Sequence, residues 1–247
     1  MVFAHRGCSS LAPENTMAAF RKARELGSPG LELDVRLCGS GELVVLHDVS
    51  LKRTTGMDEA LNQVSLRELR QLDAGSWFSP TFSSERIPLL SEVLEEFNGK
   101  LYIDVELKSR LVKDDPLPLA LAKLLNGFMS GAGRQALVSV SSFNPFALAT
   151  FKRVAPKIPT AIIWSADTEL PWYLRAGQGR WLSKSDYLKP VHSKATSFSL
   201  ALSGKIGGYQ VIPWVVDSAA LADELIGRGC DGVITNRPQD LVPAVCG

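Results

Sequence analysis

The chain has 247 residues, of which 45% are hydrophobic and 21% are charged, a composition typical of a globular protein with one large domain or two small ones. Its formal net charge is only +1, so no strong overall field favours a nucleic-acid partner or a membrane surface. No run of about 18 apolar residues predicts a membrane-spanning helix, so we expect no stable membrane insertion. The N-terminus lacks the pattern of a signal peptide, which predicts a cytoplasmic protein. The four scattered cysteines match no zinc-binding spacing and are expected to be free thiols.

Short apolar runs alternate with helix-like segments along the whole chain. The predicted strands span residues 2–4, 30–35, 101–107, 136–140, 160–164, 186–190, 209–215 and 232–234. Helices are predicted between them at 14–26, 117–128, 144–154, 218–228 and 241–245. Strands that are almost continuously apolar favour parallel pairing with helical crossovers. Eight such units predict an α/β protein, a (β/α)8 TIM barrel that fills residues 1–247 as one domain, rather than an open doubly wound sheet, which no GxGxxG motif supports.

The stretch from about residue 49 to residue 88 interrupts this alternation. It contains a polar segment, a short helical pattern at 65–72 and the aromatic residues Trp77 and Phe78. We interpret it as an insertion after the second strand, at the C-terminal face where barrel enzymes build their active sites. A small cap over the mouth of the pocket is expected.

Carboxylates end two neighbouring predicted strands. Residues 31–35 alternate between apolar and acidic side chains, which puts Glu32 and Asp34 on one face of a strand, and Glu106 ends the next strand. Three converging carboxylates repel one another unless a cation lies between them, and an oxygen-only donor set suits a hard divalent ion such as Mg²⁺ or Ca²⁺. The alternatives are a solvated edge strand, or carboxylates that are each paired with a neighbouring cation, Arg6, Arg36 or Lys108.

Two of the three histidines follow predicted strands at the same face. His5 follows the first strand and His47 ends the apolar run after the second, whereas His192 is expected to have a structural or rim role. Imidazole titrates near neutrality, so His5 and His47 fit a general acid and base. Arg6 and Lys108 carry groups that can hold a phosphate.

These motifs, in this order, resemble the glycerophosphodiester phosphodiesterase family over nearly the whole chain. The matching segments are HRG at 5–7, PENT at 13–16, the ExD…HD pattern at 32–48, RTT at 53–55, LDAGSWF at 72–78, IPLLSEVL at 87–94, ELK at 106–108 and DGVITNRP at 231–238. The resemblance implies a (β/α)8 barrel that hydrolyses a small glycerophosphodiester to sn-glycerol 3-phosphate and an alcohol with one divalent cation, Mg²⁺ or Ca²⁺. The region 172–192 departs from the family pattern, so the resemblance does not reach the residues that select the alcohol.

The resemblance also implies roles for single residues. These are metal ligation by Glu32, Asp34 and Glu106, acid–base catalysis by His5 and His47, substrate binding by Arg6, Lys108 and Trp214, and support of Arg6 by Glu14. Because no GxSxG motif supplies a protein nucleophile, the glycerol 2-hydroxyl is the expected attacker, giving a cyclic phosphate that water opens.

Other functions fit parts of the pattern. A lysophospholipase D-type activity on acylated substrates would need an apolar groove, which the aromatic residues Trp77, Phe78, Phe82 and Trp172 could form. A phosphotriesterase-like barrel would show more histidine ligands. A non-catalytic binding barrel would have lost a histidine or a carboxylate of the set, and none is missing.

Overall fold

Eight parallel strands and one antiparallel strand form the centre of the molecule in the ranges that the structure describes. The structure, a computed structural model, describes residues 1–97, 99–109, 113–130, 137–165 and 174–246. The strands are β1 (Val2–His5), β2 (Gly30–Leu37), β3 (Leu43–Val45), β4 (Tyr102–Leu107), β5 (Val138–Ser142), β6 (Thr160–Trp164), β7 (Tyr187–Pro190), β8 (Gln210–Val211) and β9 (Val233–Thr235).

The strand order is that of a barrel. The neighbours along β8-β7-β6-β5-β4-β2-β1-β9 are all parallel, while β3 folds back antiparallel on β2. The N–H of Ile234 in β9 donates to the carbonyl of Pro213 at 3.0 Å, and the N–H of Val216 donates to Ile234 at 2.9 Å, so the segment after β8 meets the other end of the order. The predicted TIM-type barrel is confirmed.

Helices follow the strands and cover the outer face. They are α1 (Met17–Glu25), α2 (Lys52–Thr55), α3 (Leu66–Leu69), α4 (Leu90–Phe97), α5 (Pro116–Met129), α6 (Pro145–Val154), α7 (Gly179–Ser183), α8 (Ser197–Leu200), α9 (Ala219–Gly227) and α10 (Pro238–Cys246). The five predicted helices between strands correspond to α1, α5, α6, α9 and α10, and the pattern at 65–72 corresponds to the shorter α3.

Local chemistry explains where the elements differ from the predicted ones. Helix α1 begins at Met17 rather than at residue 14, because Thr16 is its N-cap and accepts from the N–H of Ala19 at 3.3 Å. The strand predicted at 209–215 is limited to Gln210–Val211. The N–H groups of Ile212 and Trp214 still donate to β7, but Pro190 of β7 has no N–H with which to return the bond between them. Residue 136, the predicted start of β5, lies outside the described residues.

The barrel interior combines apolar and charged side chains. Phe3, Ile212 and Ile234 form a small apolar cluster inside it. Asp104 forms a buried ion pair with Lys189 and also accepts hydrogen bonds from the hydroxyls of Ser139 at 2.7 Å and Ser141 at 2.9 Å. The two hydroxyls and the Lys189 ammonium occupy the lone pairs of the Asp104 carboxylate, and this offsets part of the cost of burying the ion pair.

The predicted insertion contains α2, α3 and two 3₁₀ turns. A second hydrophobic core, separate from the main one, lies between the insertion, β3 and the turn before β3. Its buried residues are Cys38, Val44, Leu46, Leu51, Leu61, Val64, Leu69, Ala74 and Ile87. In the described part of the chain no helix is both long and apolar enough to cross a bilayer. The cysteines at 8, 38 and 230 are buried free thiols, as predicted, and the side chain of Cys246 lies outside the described residues.

Candidate active site

The three predicted carboxylates meet at the C-terminal ends of β2 and β4. Asp34 lies opposite Glu106 in the ladder, and Glu32 lies opposite His5 of β1. One oxygen from each of the three carboxylates lies within 4.8 Å of the other two, and all three residues are buried. Such a set of hard oxygen donors at one point fits a cation such as Mg²⁺ or Ca²⁺.

The electrostatics of the three carboxylates are unequal. Burial, together with the charges of Asp34 and Glu106, raises the pKa of Glu32 well above its usual range. Burial also raises the pKa of Glu106, against the opposing charge of Lys108. Burial opposes ionisation of Asp34 too, but the neighbouring Lys108 and Arg6 hold its pKa well below the usual range. The ionised form of Glu32 is therefore less well compensated than that of Asp34.

Two cations lie against the cluster, as one of the alternatives above anticipated. The Lys108 ammonium contacts Glu106 at 2.8 Å and Asp34 at 3.2 Å, and Arg6 Nε contacts Asp34 at 3.2 Å. Arg36 donates to the backbone carbonyls of His47 at 2.8 Å and Lys108 at 3.2 Å. Glu32 accepts from the backbone N–H of Arg6 at 3.1 Å. Arg6 and Lys108 thus compensate the charges of Asp34 and Glu106 more than that of Glu32.

The two predicted histidines have different partners. His5 Nδ1 lies 2.6 Å from Asn236 Oδ1, and its Nε2 lies 3.8 Å from Glu32. His47 Nδ1 lies 2.7 Å from a carboxylate oxygen of Asp48. Burial and the charge of Arg6 lower the pKa of His5 to about 4. Burial also lowers the pKa of His47, although the charge of Asp34 and the bond to Asp48 oppose that shift.

Arg6 is held in an unusual backbone conformation with its guanidinium against two carboxylates. Its φ is 55°, in the left-handed region that few non-glycine residues adopt. Its Nη1 donates to Glu14 of the PENT motif at 2.9 Å, and its Nε faces Asp34. The turn after β1 therefore directs Arg6 across the carboxylate cluster.

A model of the glycerophosphoryl diester phosphodiesterase family matches residues 5–240. The chain belongs to this family. A glycerophosphodiester phosphodiesterase of Caldanaerobacter subterraneus subsp. tengcongensis is 34% identical over 246 residues, covering 99% of this chain and 97% of that protein. One from Bacillus altitudinis is 31% identical and covers 98% of this chain and 96% of its own length.

A solved structure is similar over the whole chain. An Oleispira antarctica phosphodiesterase, in complex with the product sn-glycerol-3-phosphate, has a TM-score of 0.87 and 31% identity, covering 100% of this chain and 97% of that one. The family match and these relatives confirm the predicted family, its barrel and its class, a phosphoric diester hydrolase. Three converging carboxylates are in keeping with a divalent cation in this family.

Two asparagines of the family motifs support the site in ways that sequence reasoning missed. Asn15 of PENT is buried with φ 57°, and its Nδ2 donates to Asp34 at 2.8 Å. Asn236 of the closing strand donates its Nδ2 to Asp217 at 2.8 Å while its Oδ1 faces His5. The only signal in the sequence was that both asparagines lie in motifs at strand ends. Because an amide does not titrate, neither residue was a candidate acid or base.

Aromatic side chains lie near the strand ends and in the insertion. Trp214 packs edge-to-face on Phe143 with ring centroids 5.5 Å apart, and its indole N–H donates to the carbonyl of Lys189 at 3.0 Å. Its carbonyl accepts from the N–H of His192, which lies in a 3₁₀ turn after β7. In the insertion the rings of Trp77, Phe78 and Phe82 pack edge-to-face in series. Trp172 lies outside the described residues.

Proposed function

We propose that this protein hydrolyses glycerophosphodiesters to sn-glycerol 3-phosphate and an alcohol, using one divalent cation and two histidines. One observation carries the proposal: three buried carboxylates, the cationic side chains of Arg6 and Lys108, and two histidines meet at one end of a barrel of this family. The structure of the Oleispira antarctica relative, which contains sn-glycerol-3-phosphate, supports the product.

Glu32, Asp34 and Glu106 would hold the cation, Mg²⁺ or Ca²⁺. When bound, such an ion neutralises phosphodiester charge and polarises a phosphoryl oxygen. Burial and the neighbouring carboxylates disfavour ionised Glu32 and raise its pKa, and a bound cation would compensate that ionised form. Asp34 and Glu106 already have Lys108 beside them.

Arg6 and Lys108 bind the phosphate of the substrate. Glu14 and Asp34 contact Nη1 and Nε of Arg6, and a guanidinium carries further N–H groups that can donate to a phosphate oxygen. Lys108 adds a buried positive charge beside the same carboxylates. Trp214 offers an apolar ring face for the glycerol carbons.

The hydrogen-bond partners support His5 as the base and His47 as the acid of the first step. Asn236 Nδ2 faces the carboxylate of Asp217, which only accepts, so Asn236 Oδ1 faces His5 and Nδ1 of His5 donates to it. A neutral His5 then has a lone pair on Nε2, on the side of the carboxylates. His47 instead donates to the anionic Asp48, which stabilises an imidazolium that can give up a proton.

The substrate supplies the nucleophile. In the described residues neither His5 nor His47 hydrogen-bonds a serine or cysteine. His5 takes the proton of the glycerol 2-hydroxyl, whose oxygen bonds to phosphorus, while His47 protonates the departing alkoxide. Water then adds to the cyclic phosphate, the bond from phosphorus to the 2-oxygen breaks, and the two histidines exchange roles to leave sn-glycerol 3-phosphate.

A lysophospholipase D-type activity on acylated substrates is the alternative. The aromatic series in the insertion favours it, since Trp77 is 41% exposed and could contact an acyl chain. The two functions differ in the preferred substrate, because only the alternative needs the acyl chain.

One assay tests the proposal. The purified protein is incubated with glycerophosphocholine and Mg²⁺ or Ca²⁺, and with lysophosphatidylcholine in parallel. We expect sn-glycerol 3-phosphate and choline from the first substrate, and much slower turnover of the second. Release of phosphocholine and glycerol, or faster cleavage of the acylated substrate, would contradict the proposal.

A further inference from the structure

Arg53 bridges two carboxylates that come from different parts of the chain. It lies on α2 in the insertion. Its Nη1 and Nη2 donate to the two oxygens of Glu14 at 3.0 and 2.7 Å, and its Nε donates to Asp48 at 2.6 Å. The donors of a guanidinium lie in one plane, so these three bonds fix the directions of both carboxylates.

Each of the two carboxylates also holds a residue of the active site. The second oxygen of Asp48 lies 2.7 Å from His47 Nδ1. Glu14 accepts from Arg6 Nη1 at 2.9 Å through the same oxygen that Arg53 Nη2 contacts. A continuous chain of hydrogen bonds therefore runs from His47 to Arg6, and Arg53 is its central member.

The charges and the packing around Arg53 favour this arrangement. Burial opposes ionisation of both carboxyls. The hydrogen bonds and charge of Arg53, together with those of Arg6 at Glu14 and of His47 at Asp48, outweigh it, which lowers the pKa of Glu14 and lowers that of Asp48 to about 2. The guanidinium carbon lies 5.6 Å from the centre of the Trp77 ring, and the indole N–H donates to the carbonyl of Ala74 at 2.9 Å. The insertion thus provides both the cation and the aromatic surface beside it.

We propose that Arg53 is a positioning residue that aligns the acid His47 and the phosphate-binding Arg6 on one substrate, through Asp48 and Glu14. This inference rests on the proposed function, since it takes the roles of His47 and Arg6 from it. Arg53 contacts neither histidine in the described hydrogen-bond network and acts only through the two carboxylates. Loss of Arg53 should therefore disturb protonation of the leaving group and phosphate binding together.

Steady-state kinetics of single and double variants test separately the path from Arg53 through Asp48 to His47 and the path through Glu14 to Arg6. We expect Arg53→Gln to lower kcat by about 10- to 100-fold, the scale for misplacing an oriented group, and to raise KM. Asp48→Asn should lower mainly kcat, and Glu14→Gln should raise mainly KM. When Asp48 is already replaced by Asn, adding Arg53→Gln should lower kcat by only about threefold or less. When Glu14 is already replaced by Gln, adding Arg53→Gln should likewise raise KM by only about threefold or less. Arg53→Lys keeps the charge without the planar fork, so wild-type kinetics in that variant would contradict positioning.

A matched control separates positioning from general stability. Arg21 makes the same kind of two-bond contact with Glu96, at 2.7 and 2.7 Å, between the outer helices α1 and α4. Arg21→Gln should leave kcat and KM unchanged, with a Tm no higher than that of Arg53→Gln. Equal kinetics for Arg53→Gln and the wild type, or full losses in both double variants, would overturn the inference while leaving the proposed function intact.

Binding of the product gives a readout that needs no turnover. Calorimetry with sn-glycerol 3-phosphate, with Ca²⁺ present, should give a Kd about tenfold or more higher for Arg53→Gln than for the wild type, the scale of one lost charged contact. If the wild type fails to hydrolyse glycerophosphocholine but this ratio holds, the proposed function fails and the positioning of Arg6 stands. An unchanged Kd in Arg53→Gln would contradict the positioning of Arg6. Absence of both hydrolysis and product binding in the wild type would overturn both proposals.

Discussion

The side chain of Asn15 holds Asp34 by two hydrogen bonds. Its Nδ2 donates to Asp34 Oδ2 at 2.8 Å, and its Oδ1 accepts from the backbone N–H of Asp34 at 3.3 Å. Asn15 is buried and has φ 57°, a conformation that asparagine tolerates better than most residues. The PENT turn therefore fixes the orientation of a carboxylate that we assign to the metal.

Removing this support should weaken metal binding. We expect Asn15→Ala to lower the affinity for Mg²⁺ or Ca²⁺ by about 10- to 100-fold, the usual effect of losing a group that orients a metal ligand. Calorimetric titration of the metal-free protein measures this. Asn126→Ala is the control, since that side chain donates to the carbonyl of Val154 on the outer helices. Equal affinities for the two variants would show that Asn15 does not orient the ligand.

Neutralising two of the carboxylates should change the stability of the metal-free protein in opposite directions. The raised pKa of Glu32 means that its ionised form destabilises the fold, so stability is lost as pH rises through the folded-state pKa. The lowered pKa of Asp34 means the reverse: its contribution is present above the unfolded-state pKa and is lost only as pH falls through the folded-state pKa. In chelator at pH 8, Glu32→Gln should therefore raise Tm and Asp34→Asn should lower it.

The same two variants should behave alike once metal is added. Saturating Mg²⁺ or Ca²⁺ should raise the Tm of the wild type and have little effect on either variant, and neither variant should show activity. A metal-free Glu32→Gln protein less stable than the wild type would contradict the charge distribution described for the cluster.

The barrel and the meeting of the three carboxylates could be predicted because the signals for them are in the strand pattern. Alternation within β2 placed Glu32 and Asp34 on one face, and parallel pairing brought Glu106 beside them. Contacts between strands that are not neighbours in the sheet could not be predicted. Asp104 and Lys189 are 85 positions apart and meet inside the barrel, which neither strand pattern indicates. Pro190 shortened the predicted seventh strand, which is β8, because the proline has no N–H to donate across the ladder and apolar patterning does not show this.

The assignment of the two histidines can be tested by changing the leaving group. His5→Ala and His47→Ala should each lower kcat on glycerophosphocholine by at least about 100-fold. A p-nitrophenyl ester of glycerol phosphate has a leaving group that needs no proton. Its rate of release, followed by absorbance, should recover in His47→Ala and stay low in His5→Ala, while His192→Ala should be mild with both substrates. Recovery in His5→Ala instead would reverse the roles of acid and base.

A substrate without the 2-hydroxyl tests the attacking group. Intramolecular attack has effective molarities that reach roughly 10⁵ M or more, so a 2-deoxyglycerol analogue should react at least about 1,000-fold more slowly. It should still bind, and inhibit competitively, because the phosphate contacts of Arg6 and Lys108 are unchanged. The cyclic 1,2-phosphate should be hydrolysed by the wild type. Cleavage of the deoxy analogue at the normal rate would favour direct attack by water.

Metal titration with activity as a second readout tests the account at its centre. The chelated wild type is titrated with Ca²⁺ or Mg²⁺ in a calorimeter, and release of sn-glycerol 3-phosphate is measured at each point. We predict one ion bound per chain, activity that returns in proportion to occupancy, and no binding or activity in Glu106→Gln, which lacks one of the three carboxylates. Full activity after exhaustive chelation, or one ion bound with equal affinity by Glu106→Gln, would contradict the metal site formed by Glu32, Asp34 and Glu106.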